Sequence, residues 1–363
     1  MRIPLAQPAL SDLERDYCNR AINSGQISGF GDFVDEMELS LAQYVGRAFC
    51  ASVSNGTTAL HLALLALNIG PEDEIIIPNF GYVAFANAVH YVGATPVLVD
   101  IEPVGWGIDP LEMEKSITKK TKAIILVHNY GLQGEISSIL KICKEKQITI
   151  IEDAAEALGG SFEGKPFGSF GDISTFSFYG NKILTSGEGG ALLTDDPKLF
   201  QRIKLLRGQG MDPENRYWFS EVGYNYRLSN IQASIFCAQF KQIDIFLKKR
   251  REIFSRYHDI VSGVGDDVFF GKNDFAPWLF TFLLDSKITR DDFTNFLEEG
   301  GVETRPTFVE LNRLPAFAML PIQKKNVSVD IARRGISLPT FVDLTEIHFQ
   351  KIDDLIRNFL NGK

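Results

Sequence analysis

Short apolar, β-rich runs alternate with helical patterns through the first two thirds of this chain, and no other feature of the sequence restricts the fold as much. The runs lie at 49–53, 74–77, 96–99, 123–128, 148–152, 173–178 and 191–194. They are apolar nearly throughout rather than alternating with polar residues, which is the pattern of strands covered on both faces. Amphipathic helical segments, such as 110–117 and 136–146, fall between them. Strand and helix in alternation predict a largely parallel sheet wrapped by helices. From about 231 to 257 the pattern turns helical and charged, ending in Leu247-Lys248-Lys249-Arg250-Arg251-Glu252. That basic run reads as the solvated face of a connecting helix. Beyond it, 278–284 reads as a strand, 289–299 as a helix and 353–360 as a C-terminal helix, which together suggest a smaller α+β domain. At 363 residues the chain suits two such units: a large domain over 1–240, including the N-terminal segment, and a small C-terminal domain over 241–363.

Several function classes are disfavoured at once. A net charge of -9 argues against a nucleic-acid or membrane-surface binder, whose field is normally basic. Any anionic ligand must then be held by a local positive site. Cys18, Cys50, Cys143 and Cys237 are far apart and form no CxxC, so neither a disulfide framework nor a zinc cluster is suggested. The N-terminus lacks an apolar leader, and the most apolar helical stretch, 59–67, is about half a membrane span. A cytoplasmic protein is expected. His61, His90, His128, His258 and His348 show no paired metal spacing, so no metal is expected. His61 reads as a packed core histidine, and His128, at a strand end, stands open between core and site. Gly159-Gly160-Ser161-Phe162-Glu163-Gly164-Lys165 has the spacing of a phosphate-binding P-loop, but Pro166 replaces the hydroxyl residue that would bind magnesium.

Three segments at the carboxyl ends of expected parallel strands carry chemistry, and ligands of open α/β sheets bind at that edge. In Ser52 through Leu60, a strand end, a glycine turn and a helix start offer free amides and hydroxyls to an anion; Ser54 and Asn55 could equally be caps of a buried helix. In Ile148 through Ala157, an apolar strand delivers Glu152 and Asp153 followed by small residues. A carboxylate there can pair with a protonated ring nitrogen, though acids are also common turn residues. In Ser174 through Gly190, Lys182 follows a buried strand and precedes a glycine-rich turn. Partial desolvation there would lower its pKa and free a neutral amine for Schiff-base chemistry.

Taken together, Gly56-Thr57-x-Ala59-Leu60, Glu152-Asp153-Ala154-Ala155 and Phe176 through Gly190 resemble the sugar aminotransferases of the DegT/DnrJ/EryC1/StrS family. The likeness extends to Glu303-Thr304-Arg305-Pro306 and Gly335-Ile336-Ser337-Leu338-Pro339. It implies the aspartate aminotransferase-like fold (type I) with a mostly parallel seven-stranded sheet, pyridoxal 5'-phosphate as cofactor, and a homodimer with shared active sites. By this resemblance Lys182 would hold the cofactor as a Schiff base and act as the catalytic acid/base. Asp153 would meet the pyridine nitrogen, and Glu156, where glutamine or histidine is usual, would lie near the ring hydroxyl. Gly56, Thr57 and Ser177 would hold the phosphate, Tyr82 would stack on the ring, and Asn225 would reach the phosphate of the partner subunit. Tyr179-Gly180-Asn181-Lys182 and Arg216-Tyr217-Trp218 look like the subgroup that aminates C4 of a GDP-linked 4-keto-6-deoxymannose with L-glutamate, for O-antigen synthesis. Gly81, where threonine is usual, and Asn312, where histidine is frequent, depart from it and leave open a dTDP- or UDP-linked 4-keto or 3-keto sugar. Tyr217, Trp218 and Arg305 are the candidate sugar-nucleotide contacts; Arg305 could instead brace the domain interface. A sugar 3-dehydratase would carry histidine in place of Lys182, and a non-catalytic sugar-nucleotide binder would have no need of Lys182, Asp153 and Ser177 together.

Overall fold

The computed structural model describes residues 1–269, 271–272, 274–322 and 326–362. Two N-terminal helices, α1 (Asp12–Ser24) and α2 (Asp32–Val45), precede the sheet. The strands and helices then alternate as β1 (Phe49–Val53), α3 (Gly56–Ala66), β2 (Glu74–Pro78), α4 (Ala84–Tyr91), β3 (Thr95–Val99), α5 (Pro110–Ser116), β4 (Thr121–Val127), α6 (Ile136–Lys146) and β5 (Thr149–Asp153). A two-strand hairpin, β6 (Ser161–Phe162) and β7 (Lys165–Pro166), separates β5 from β8 (Ile173–Ser177) and β9 (Gly190–Thr194). The seven-stranded sheet has the order β1-β9-β8-β5-β4-β2-β3. β9 is antiparallel to both its neighbours, and the pairs from β8 to β3 are parallel. The continuous apolar runs become strands because both sheet faces are covered: Ile75, Ile76 and Ile77, and likewise Ile124 and Ile125, are all fully buried on alternate faces.

After α7 (Pro197–Arg207) the chain passes through an irregular segment to α8 (Asn230–Phe240) and the long α9 (Ile243–Val261). The C-terminal part contains β10 (Gly265–Asp267), β11 (Thr281–Leu284), α10 (Arg290–Glu299), β12 (Arg305–Pro306), α11 (Val327–Arg334), β13 (Gly335–Ser337) and α12 (Glu346–Asn361). Its antiparallel four-stranded sheet runs β10-β11-β13-β12. The extreme N-terminus crosses to this part: Ile3 pairs with Val302, and Leu5 O accepts the Thr340 amide at 2.8 Å.

The basic run on α9 is only partly the solvated face expected of it. Lys248, Lys249 and Arg251 are exposed, but Arg250 is buried. Its Nη1 donates to Trp278 O at 2.7 Å, and more weakly to Pro277 O and Thr340 O. Burial pushes its pKa down to about 10. Helix periodicity explains the exception, since Arg250 lies one turn from the buried pair Phe246 and Leu247 and so points inward with them.

Among the described residues no helix is long and apolar enough to cross a membrane, and no cluster of His, Cys, Asp and Glu has the arrangement of a metal site. The four cysteines form no disulfide. The glycine-rich stretch with P-loop spacing forms the β6–β7 hairpin, with Glu163 and Gly164 in left-handed backbone at the turn. It is not followed by a helix, so no helix N-terminus is available there to hold a phosphate.

Candidate active site

β1, β5 and β8 end on the same edge of the sheet, and the turns that follow them meet around Lys182. The turn after β8 carries the lysine. Phe178 is buried and its amide is bonded to Gly189 O, while Lys182 N bonds back to Tyr179 O. The side chain is turned inward: only 14% of it is accessible. Its Nζ lies 4.1 Å from the centre of the Trp278 ring and 3.7 Å from Glu156 Oε1. Burial lowers the Lys182 pKa, Glu156 and Asp153 oppose that by attraction, and Arg305 adds to it by repulsion. The amine is thus easier to deprotonate than an ordinary lysine, which a nucleophile requires.

The sequence marks Trp278 only as the start of a strand over 278–284; that strand begins at Thr281, and Trp278 reaches the site from the C-terminal part of the chain. Ala276 docks on the turn at Gly131, where its N–H donates to Gly131 O at 2.9 Å. A Cβ at Gly131 would stand 2.2 Å from Ala276 O, and this glycine is also in left-handed backbone, so no other residue fits the junction. Arg250 holds the Trp278 carbonyl, and the indole Nε1 donates to Asn181 O at 2.9 Å. Nothing local in the sequence links position 278 to position 182; only the docked turn does.

β5 divides its two acids between opposite faces, as strand alternation requires. Glu152 is fully buried and accepts the amides of Gly168, Phe170 and Gly171 together with His128 Nε2 at 2.9 Å. It ties the β7–β8 connection to the sheet and takes His128 with it, stacked on Phe167. The structure therefore places His128 behind the site. Asp153 points the other way. Its Oδ1 accepts the Ala155 amide at 3.1 Å and the Thr175 hydroxyl at 3.4 Å, and its Oδ2 makes no hydrogen bond among the described residues. Burial pushes its pKa up, against the Ala155 amide, Lys182 and His128. Glu156 is buried as well, with Oε2 accepting the Tyr130 amide at 2.8 Å. Burial pushes its pKa up to about 7 against the attraction of Lys182.

The third turn starts α3. Asn55 caps the helix, its side chain accepting the Thr58 amide at 2.9 Å, so the capping reading of Asn55 is correct. Capping does not exhaust the site, because the amides of Gly56 and Thr57 precede the first intrahelical bond and have no acceptor in the helix. Ser177, at the end of β8, abuts them: a Cβ at Gly56 would lie 3.0 Å from Ser177 Cβ. Two amides without a partner in the helix, the adjacent Ser177 and the helix dipole can act together as an anion cradle in an acidic protein. His61, further along α3, is buried and shares a hydrogen bond with the Tyr226 hydroxyl at 3.0 Å.

The other residues singled out in the sequence are spread more widely. Tyr82 is exposed beside Phe308, at 6.0 Å between ring centres. Arg305 is half-buried on β12, near enough for its charge to be felt at Lys182 and Tyr130. Asn225, Tyr217 and Trp218 are exposed in the irregular segment between α7 and α8, and this chain's own site does not include them. Roomier clefts along α12, lined by Ile347, Lys351 and Leu355, hold no buried nucleophile or acid.

The residues present fit pyridoxal phosphate. A buried amine can bond its aldehyde, a buried carboxylate with a free oxygen can face its ring nitrogen, and the cradle at α3 can take its phosphate. The small residues Ala155 and Ser177 line one cavity with Glu156, Lys182 and Trp278, the place where its ring would lie.

Comparison with known proteins agrees with this chemistry. Residues 8–357 match the DegT/DnrJ/EryC1/StrS aminotransferase family. The chain is 42% identical to GDP-perosamine synthase of Caulobacter vibrioides over 97% of its own length and 96% of that protein. It is 39% identical to GDP-perosamine synthase of Escherichia coli O157:H7, with 99% of each chain covered. Helicobacter pylori PseC, an aminotransferase involved in the biosynthesis of pseudoaminic acid, superposes with a TM-score of 0.94 at 25% identity over 100% of both chains.

Proposed function

Since the chain belongs to the DegT/DnrJ/EryC1/StrS family and is a pyridoxal-phosphate-dependent aminotransferase, we propose that it transfers an amino group from L-glutamate to C4 of GDP-4-keto-6-deoxymannose. The product is GDP-perosamine, a precursor for O-antigen or a related polysaccharide. The observation that carries the chemistry is the buried Lys182 amine between Glu156 and the Trp278 ring. The substrate follows from the full-length likeness to the two synthases.

When bound, the cofactor supplies an aldehyde that exchanges amino groups and a ring that accepts electron density from the adjacent carbon. Lys182 Nζ would hold that aldehyde and would serve as the base that takes the proton of the donor's α-carbon. Asp153 Oδ2 would keep the ring nitrogen protonated, and Glu156 would lie by the ring hydroxyl. The amides of Gly56 and Thr57 and the hydroxyl of Ser177 would bind the phosphate, and Tyr82 would cover the ring. Residues 1–240 form the cofactor-binding unit in this reading and 241–363 the smaller one, which contributes Trp278 and Arg305. The enzyme works as a homodimer in which Asn225 of one protomer serves its partner's phosphate. The exposed Tyr217, Trp218, Phe219 and Val222 beside it support that arrangement. Tyr217, Trp218 and Arg305 are the proposed sugar-nucleotide contacts.

One observation supports a different nucleotide or sugar. Asn79 Nδ2 donates to Asn312 Oδ1 at 3.0 Å and Asn79 Oδ1 accepts the Asn312 amide at 3.1 Å, so Asn312 is turned onto the β2–α4 loop. In the same loop a Cβ at Gly81 would stand 2.6 Å from Asn129 Oδ1. Both departures from the perosamine pattern thus meet at the β2–α4 loop. Measuring 2-oxoglutarate release from L-glutamate across GDP-, dTDP- and UDP-linked 4-keto and 3-keto sugars decides between these readings. Turnover confined to the dTDP or UDP substrates would overturn the GDP assignment.

A further inference from the structure

Glu156 cannot turn away from Lys182. Its Oε2 is fixed by the Tyr130 amide, and Tyr130 is itself clamped: it is buried in left-handed backbone (φ 54) and its hydroxyl accepts the Phe308 amide at 3.2 Å. That leaves Oε1 aimed at Nζ across 3.7 Å, an ion-pair distance that a small rotation of the lysine closes to a hydrogen bond. Only 7% of the Glu156 side chain and 14% of the Lys182 side chain are accessible, and the Trp278 ring covers the amine from the other side. The other charged groups facing the pair are Asp153 from β5 and Arg305 from β12. Among the described residues, Oε1 is the carboxylate oxygen that lies within 4 Å of Nζ, and it is the nearest acceptor for a proton leaving the amine.

We propose that Glu156 is the proton partner of Lys182, taking a proton from Nζ onto Oε1 when the amine becomes a nucleophile and returning it when the amine acts as an acid. This deepens the functional reading above and rests on the role given there to Lys182. The transfer breaks one N–H bond and forms one O–H bond, converting carboxylate and ammonium into carboxylic acid and amine. The pair has zero net charge in both forms, so no ion is left alone in the buried space and no other reactant is needed. The Tyr130 bond survives, because Oε2 remains an acceptor whichever form Oε1 takes. Burial raises the carboxyl to about 7 and lowers the amine, which brings the two sites toward a common proton affinity. Glutamine at this position could hold a ring hydroxyl in place but could not store the proton.

The test uses the full-length protein freed of cofactor. The rate at which trinitrobenzenesulfonate labels Lys182, quantified by peptide mass spectrometry, is followed against pH for the wild type, Glu156→Gln and Glu156→Asp. A shared proton gives the wild type a two-step profile with a plateau near neutrality. Glu156→Gln, which keeps the Tyr130 bond, should lose the lower step, and Glu156→Asp should retain it at a displaced pH. A wild-type profile with one step that Glu156→Gln leaves in place overturns the proposal. Should Glu156→Gln fail to fold by circular dichroism, Glu156→Asp decides alone, and a lower step that it does not move is a refutation. Release of 2-oxoglutarate by the wild-type holoenzyme is scored separately. Its absence would sink the reading of the reaction and leave the labelling result to judge the proton partnership.

Discussion

Replacing Gly190 with alanine tests how the phosphate cradle is built. Gly190 lies opposite both Val53 and Ser177, where antiparallel β9 runs between the ends of β1 and β8. A Cβ there would stand 2.6 Å from Asn55 C and O and 2.9 Å from Gly56 N. Carbon contacts settle at about 3.5–4.0 Å, so the start of α3 has to retreat by roughly 1 Å. Overpacking of this kind costs about 1–3 kcal/mol. The retreat carries the Gly56 and Thr57 amides away from Ser177, and if the whole cost falls on the loaded state, cofactor binding weakens about 5- to 150-fold. Titration of the cofactor-free chain with pyridoxal phosphate, read by visible absorbance, measures the effect. The thermal shift on adding cofactor should shrink in step. Ser177→Ala removes a hydroxyl without moving backbone and should weaken binding by about tenfold, the loss of one hydrogen bond to a charged group. A Gly190→Ala protein that binds the cofactor as tightly as the wild type would refute this account of the cradle.

Asp153→Asn keeps an oxygen for the Ala155 amide but loses the charge opposite the ring nitrogen, so turnover should fall by about 100-fold or more. The melting temperature of the cofactor-free protein should hold or rise, because a buried charge has gone; a near-wild-type kcat would contradict the assignment. Glu152 gives a pH effect of definite sign. Burial alone would raise its pKa, but His128 and the amides of Gly168 and Gly171 outweigh it and hold the group below its ordinary value of 4.5. The stability it contributes is therefore present above that value and is lost as pH falls through the depressed pKa. Glu152→Gln should cost about 3–5 kcal/mol at neutral pH and flatten the acid side of the stability curve, as measured by equilibrium unfolding. Parallel wild-type and variant curves would show that Glu152 does not anchor the β7–β8 connection as a charge.

The sheet was legible because its strands are buried on both faces, which leaves apolar runs at 74–77 and 123–128 that no surface helix would tolerate. Lys182 and the start of α3 were legible for a different reason: glycines and small hydroxyls mark turns at strand ends, and the chemistry of an α/β sheet gathers at that edge. The division of labour between Glu152 and Asp153 was not. Adjacent acids look alike in sequence, and only the strand's alternation, which depends on register, sends one to the β7–β8 connection and the other to the site. Helices α1 and α2 escaped a reading based on alternation, although Ser11 and Glu14 form a capping box that marks the first of them. Strands as short as Arg305–Pro306 carry too little pattern to be read. Trp278 and Arg250 were hidden most deeply, since their roles follow from docking between the two parts of the chain and from no local signal.

Borohydride reduction of the cofactor-loaded protein, followed by peptide mass spectrometry, asks most directly whether Lys182 is the residue that holds pyridoxal phosphate. A single pyridoxyl group on the peptide containing Lys182, absent from Lys182→Ala, is the expected result. Label scattered over exposed lysines, or a Lys182→Ala protein that still forms amino sugar at the wild-type rate, would contradict it.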